Sequence, residues 1–224
     1  MEIKSVILQS NNIEEMKEFY VEHFGFPLVK EDESGFRIVV GTSELEFSSK
    51  QVEANPYYHF AFNIPTNKFE EAKEWVKDRV ALNVDFEKDE IYFSNFDAHS
   101  LYFYDPAGNI VELIARHALA NAQEGDFSIE SILNISEIGL TVDDAIHACH
   151  KLMEIGIHER EHGDLTASSL NFMGEKSKGI FIILNQPGRR WIFSDKQSAI
   201  FPLEIITTED RKIVVNLEKQ FEIF

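Results

Sequence analysis

Glu112 is the residue in this chain whose type is hardest to reconcile with its neighbours. It lies in the run Tyr102-Phe-Tyr-Asp-Pro-Ala-Gly-Asn-Ile-Val-Glu-Leu113. Ser100–Tyr104 alternates, with Leu101 and Phe103 on one face and Tyr102 and Tyr104 on the other. Asp105-Pro-Ala-Gly-Asn109 then has the composition of a turn. Ile110–Arg116 reads as a second strand, in which period two puts Glu112 on the face of Ile110 and Ile114. A carboxylate so flanked is either solvated on a rim strand or buried beside a hydrogen-bond donor, a cation or a metal.

Strands and helices elsewhere must position such a group. Ile3–Gln9 reads as a strand. Asn11-Asn12 is placed to cap a helix over Ile13–Phe24, with Ile13, Met16, Phe19, Tyr20 and Phe24 as its apolar stripe. Pro27–Glu31, Phe36–Val40 and Glu44–Ser48 follow as short strands, so the order is βαβββ. After a polar connector over 51–56 the order repeats. Tyr57–Ile64 is a strand with His59, Ala61 and Asn63 on one face, a helix runs from Thr66 or Asn67 to about Val80, and an irregular strand lies within Val84–Phe93. The Glu112 strand pair closes this second unit. Residues 117–127 form a polar joint. A third, looser unit then has a strand over Ser131–Val142, a helix over Ala145–Ile155, and strand candidates at Ser169–Met173, Gly179–Asn185, Arg190–Phe193 and Leu203–Thr207. The tail from Lys212 to Phe224 fits either a helical stripe or strands.

The three units can be set in register. Ser5, His59 and Glu137 each stand seven residues before a polar position, at Asn12, Thr66 and Asp144. Glu46, Glu112 and Glu204 share one place in the last strand of each unit. The expected class is therefore α+β, built from repeated βαβββ units, two over 1–118 and a degenerate third with the tail over 128–224.

The Tyr102–Leu113 run and the repeat resemble the vicinal oxygen chelate superfamily, which includes glyoxalase I, bleomycin-resistance proteins and extradiol dioxygenases. The resemblance extends over 1–116, with the looser copy over about 130–208. It implies that the first two units pair into a cupped mixed sheet, with metal ligands from the first and last strands of the paired units, here Ser5, Glu46, His59 and Glu112. His59, Glu112 and Glu46 are competent for manganese, iron(II), nickel or zinc, with Glu46 as the mobile catalytic base. Ser5 departs from the His or Gln usual in metal-dependent members. It joins His99, Tyr102 and Tyr104 as substrate-side residues, with Tyr57 and Phe93 as further cup-lining aromatics. Glu137 and Glu204 occupy equivalent places without a neighbouring histidine. The function implied is a lyase or isomerase acting on a small molecule with adjacent oxygens. The alternative is a non-catalytic small-molecule binder that has lost the metal.

Composition removes other classes. The 224 residues carry 39 acidic against 21 basic side chains, a net charge of −18, which disfavours nucleic acid or an anionic membrane as partner. Cys149 is the single cysteine, so neither an internal disulfide nor a thiolate cage is expected. No leader or long apolar run is evident, and a cytoplasmic location is expected. Phosphate loops, nucleophile elbows and His-Glu-x-x-His pairs are absent. An odd third unit would leave an apolar sheet face and an edge uncovered, so a homodimer through that unit is expected.

Overall fold

The structure, a computed structural model, describes residues 1–52 and 54–224. Glu53, in the expected connector, lies outside the described residues. The first unit comprises β1 (Ile3–Gln9), α1 (Ile13–Lys17) continuing into a π-helical turn (Glu18–His23), β2 (Leu28–Asp32), β3 (Gly35–Val40) and β4 (Ser43–Ser48). The second comprises β5 (His59–Ile64), α2 (Phe69–Lys77), β6 (Ile91–Phe93), β7 (Ala98–Tyr104) and β8 (Ile110–Arg116). Then come β9 (Asn134–Thr141), α3 (Ala145–Glu154), β10 (Asn171–Glu175) and β11 (Ile180–Asn185), and finally β12 (Leu203–Thr207), β13 (Lys212–Val215) and β14 (Phe221–Ile223). Asn12, expected to cap the first helix, makes no side-chain cap, whereas Asp144 accepts from the His147 amide at 2.9 Å at the start of α3, and α2 starts at Phe69.

The α+β class and the cupped mixed sheets are as expected, but the units pair differently. One seven-stranded sheet runs β14-β13-β12-β1-β4-β3-β2 and the other β10-β11-β9-β5-β8-β7-β6. The second unit thus pairs with the third, through β5 and β9 antiparallel, and the first unit pairs with β12. The division into a paired 1–118 and a separate third unit is corrected accordingly. Burial gives the reason. Every residue of β5, β8 and β11, and all but the first of β9, is buried, so these strands need neighbours and cover on both sides. β1 keeps half-exposed positions at Ile7 and Gln9, and an open face suits it.

The third unit is shorter than the pattern suggested. β12 belongs to the other sheet, so β11 is the strand equivalent to β8. Arg190–Phe193 is no strand; it lies in a strap between β11 and β12 that makes one isolated bridge, Arg190 to Gln197. The tail resolves into the β13–β14 hairpin.

One apolar core joins the two sheets. It includes Val6, Leu8, Leu45 and Phe47 from the first and Phe60, Phe62, Val111, Leu113, Ile138 and Leu140 from the second. Phe24 stacks on Phe103 at 5.4 Å, and Phe26 meets Phe62 edge-on at 5.7 Å. Ile138, Leu140 and Ile205 are buried inside this core. Among the described residues no helix is long and apolar enough to cross a membrane.

A chain ending near Ala120 would leave both β1 and β5 without their antiparallel partners. It is expected to aggregate and to lack the cooperative thermal transition of the full chain, measured by circular dichroism and light scattering. A soluble, cooperatively melting fragment would contradict the observed pairing.

Candidate metal centre

Ala61 sits between two glutamates. In β5 it is opposite Glu112 of β8 on one side and Glu137 of β9 on the other. Its methyl group leaves room for both carboxylates, and His59 projects two residues along on the same face. The three side chains are almost wholly buried, at 4%, 2% and 5% exposure for His59, Glu112 and Glu137. His59 Nε2 lies 3.5 Å from Glu112 Oε2 and 3.9 Å from Glu137 Oε2. One donor atom from each residue falls within 4.8 Å of the others.

The surrounding contacts set the protonation. His59 Nδ1 lies 3.0 Å from the Ile110 carbonyl, which can only accept, so Nδ1 carries the hydrogen. In the neutral ring Nε2 then directs its lone pair at the carboxylates. Arg116 donates to Glu137 Oε1 and also to Ser136 Oγ at 3.1 Å and Asn63 Oδ1 at 3.3 Å. Glu137 is thereby oriented with Oε2 left over. Glu112 has no such guanidinium partner. Burial first, then the Glu137 charge, raise its pKa to about 7. For Glu137 burial opposes ionisation, but the Arg116 charge and the neighbouring His59 outweigh it and hold the carboxyl below its usual range. His59 is raised: burial disfavours its charge, but the Glu137 and Glu112 carboxylates facing Nε2 prevail.

These residues fit a divalent cation. A bare imidazole lone pair facing two carboxylate oxygens in a buried site is repulsive unless a proton or a metal lies between them. The histidine tautomer is fixed by a carbonyl and one carboxylate by an arginine, as is usual around metal ligands. Oxygen-rich donors with one nitrogen suit the hard-to-borderline ions expected from sequence.

The donors open on a cavity of about 120 Å³. Its walls include Phe93, Phe96, Tyr102, Phe172 and Ile183, with Trp191 of the strap 4.9 Å from the His59 ring. Gly139 permits that approach, since a Cβ there would come within 2.8 Å of the Trp191 ring. Phe193, also on the strap, stacks on Tyr102 at 4.9 Å.

Of the residues expected from sequence, the structure brings together His59, Glu112, Tyr102 and Phe93. It separates the rest. Glu46 and Ser5 lie on the other sheet, and Arg37 grips Glu46 Oε2 through Nε at 2.8 Å and Nη2 at 2.6 Å, so Glu46 is neither a ligand here nor a mobile base. His99 has the parity of Leu101, on the face opposite Glu112, where it bonds His117 at 2.7 Å and packs on Phe69. Tyr104 and Tyr57 secure the strap, bonding Ser194 Oγ at 2.7 Å and the Gln197 carbonyl at 2.8 Å. Glu204 pairs with Lys212 at 2.7 Å. Glu137 is the donor the sequence reading set aside, although its register with His59 was visible. Ile183, opposite Gly139 as Glu112 is opposite Ala61, stands where a fourth donor would come. Trp191 stood in an expected strand, Arg190–Phe193, and not among the expected site residues.

The same architecture occurs in solved structures. A putative dioxygenase from Bacillus subtilis subsp. subtilis str. 168 superposes with a TM-score of 0.56 at 18% identity, over 82% of this chain and 63% of that one. Glyoxalase I from Zea mays gives 0.54 at 14% identity, over 82% and 66%. The likeness is one of fold, and the chain spans about two thirds of the length of each. The family model of the Glyoxalase/Bleomycin resistance protein/Dioxygenase superfamily matches residues 2–113, and the chain belongs to that superfamily. A model described as Toxoflavin-degrading enzyme matches residues 135–189, which include Glu137 and Ile183. No curated protein matches the chain.

Two outcomes follow from this geometry. Glu112→Gln, His59→Ala and Glu137→Gln are each expected to abolish binding of Mn²⁺ or Zn²⁺ by equilibrium dialysis, whereas Glu46→Gln and Ser5→His leave it unchanged. Glu112→Gln should not lower the melting temperature of the metal-free protein, because a buried charge is lost at equal volume. The second outcome concerns pH. The raised carboxyl of Glu112 and the raised imidazole of His59 bind protons more tightly folded than unfolded. Metal-free stability therefore falls as pH rises from the ordinary carboxylate range through about 7, with His59 adding to the loss above its ordinary range. Metal requires both groups deprotonated, so its thermal shift should be larger at about pH 8 than at about pH 6. A shift independent of pH would contradict the assignment.

Proposed function

We propose that the chain is a divalent-metal-dependent enzyme that acts on a small, planar molecule bearing two adjacent oxygens, by lyase or isomerase chemistry. The observation that supports this is the convergence of His59, Glu112 and Glu137 at the floor of an aromatic cavity. A bound ion would supply Lewis acidity to the substrate oxygens and stabilise negative charge that develops on them. Everything else is work for the chain's own side chains. Arg116 holds Glu137 still. Glu112, the more basic carboxylate, is suited to take a proton from substrate carbon at Oε2 and return it. The Tyr102 phenol is pushed well above its ordinary pKa by burial and the Glu112 and Glu137 charges, so it remains a neutral donor. Phe93, Phe96, Phe172 and Trp191 exclude water and offer flat faces to a ring. At about 120 Å³ the cavity is somewhat smaller than the apolar void of about 150 Å³ that accepts benzene, so it suits at most one small ring. The third unit's likeness to the toxoflavin-degrading enzyme model supports breakdown of a small molecule as the task.

A second reading, a binder without metal, is favoured by one observation: Ile183 leaves three donors rather than four. In either case all three donors come from one chain, so the site does not require the homodimer.

The test uses 2-hydroxyacetophenone, which combines one ring, two adjacent oxygens and exchangeable carbon-bound protons. Protein purified without chelator and reloaded with Mn²⁺, Ni²⁺, Fe²⁺ or Zn²⁺ is expected to hold about one ion per chain. It should also speed exchange of those protons in D₂O, followed by NMR. Glu112→Gln should abolish the exchange. Failure to retain any of the four ions would favour the binder.

A further inference from the structure

The mouth of the cavity is basic in a protein whose net charge is −18. Arg189 and Arg190 both line it. Arg190 is already engaged, donating from Nε to the Ser194 carbonyl at 2.7 Å and pairing through Nη2 with Asp85 at 3.0 Å. Arg189 differs. Its backbone is fixed, the amide donating to Ser198 Oγ at 3.0 Å and the carbonyl accepting from the Ser198 amide at 2.6 Å. Its guanidinium has no hydrogen bond, ion pair or ring contact among the described residues. Arg37, Arg116, Arg160, Arg190 and Arg211 each have a carboxylate partner, and Arg79 donates to the Trp75 carbonyl.

A free guanidinium on a pinned backbone, on an exposed residue that lines an apolar cavity, is available for a bidentate contact with an anion. The surrounding negative charge of the protein repels anions in general, so this local exception selects for one that also fits the cavity.

We propose that Arg189 sets substrate specificity, and that the substrate carries a carboxylate or comparable anionic group at the end remote from its adjacent oxygens. This rests on the proposed function for the position of those oxygens. The substrate class is then an aromatic acid with vicinal oxygens, its ring between the aromatic walls and its acid group at Arg189.

Catechol and 3,4-dihydroxybenzoate share the ring and the adjacent oxygens and differ by one carboxylate. Their affinities for the Zn²⁺-loaded full chain can be compared by quenching of tryptophan fluorescence, since Trp191 lines the cavity. The wild-type protein is expected to bind 3,4-dihydroxybenzoate about tenfold more tightly than catechol, the scale of one charge-assisted contact. Arg189→Ala should bring the ratio to about one without altering catechol affinity or zinc content, and Arg189→Lys should restore part of it. Equal affinities in the wild type, or a preference that survives Arg189→Ala, would overturn the proposal. Repeating the comparison on metal-free protein separates the two readings. If zinc strengthens neither ligand the metal assignment fails, while the ratio still reports on Arg189.

Discussion

Two carboxylates held either side of one alanine, out of contact with bulk water, form the constraint on which this architecture depends. Their mutual repulsion in a low-dielectric setting would oppose closing β5 against β9. Arg116 removes half of the problem by pairing with Glu137 and is itself held by Asn63 and Ser136. Nothing equivalent is provided for Glu112. That asymmetry gives chemically similar groups different characters, one fixed and acidic, the other more basic and without an arginine, with an imidazole between them. A cation at this point would complete the electrostatics that the protein alone leaves open.

The turn Asp105–Asn109 explains why the donors are so well positioned. Asp105 Oδ1 accepts from the Ala107 and Asn109 amides, and Oδ2 accepts from Tyr20 Oη at 2.8 Å and Asn109 Nδ2 at 2.7 Å. Asn109 Oδ1 in turn accepts from the Tyr58 amide at 2.8 Å. One buried aspartate therefore locks the β7–β8 turn to the helix of the first unit and to the start of β5, setting the register between His59 and Glu112. Gly108 serves the same junction: its φ of +79° suits glycine, and a Cβ there would collide with Lys196 of the strap.

Much of this was legible in the chain and part was not, for a definite reason. Period two exposed Glu112 as an anomaly, and the repeat exposed His59 and Glu137 as equivalents. Equivalence, however, is not adjacency. Ser5 and Glu46 hold matching places in the first unit, yet which first strands pair depends on burial over both faces of β5, β8, β9 and β11, a property of the assembled sheet. β12 misled in the same way: Leu203-Glu204-Ile205 mimics Val111-Glu112-Leu113, while the true counterpart, β11, has Ile183 at the critical place. Trp191 fell in an expected strand, Arg190–Phe193, and its approach to His59 was not legible because an irregular strap has no periodicity from which to read a direction.

The crossed pairing also gives the two sheets different histories during synthesis. The donor-bearing sheet draws on one continuous stretch, from β5 to β11, and can close as soon as that stretch has emerged. β1 is made first but its antiparallel neighbour β12 follows nearly two hundred residues later. Until then one side of an apolar strand stands bare, the kind of edge on which nascent chains associate wrongly. The sheet that has kept no donors is thus the one that must wait, and the order of translation favours a chain whose metal-site half is already built when the other half closes over its back.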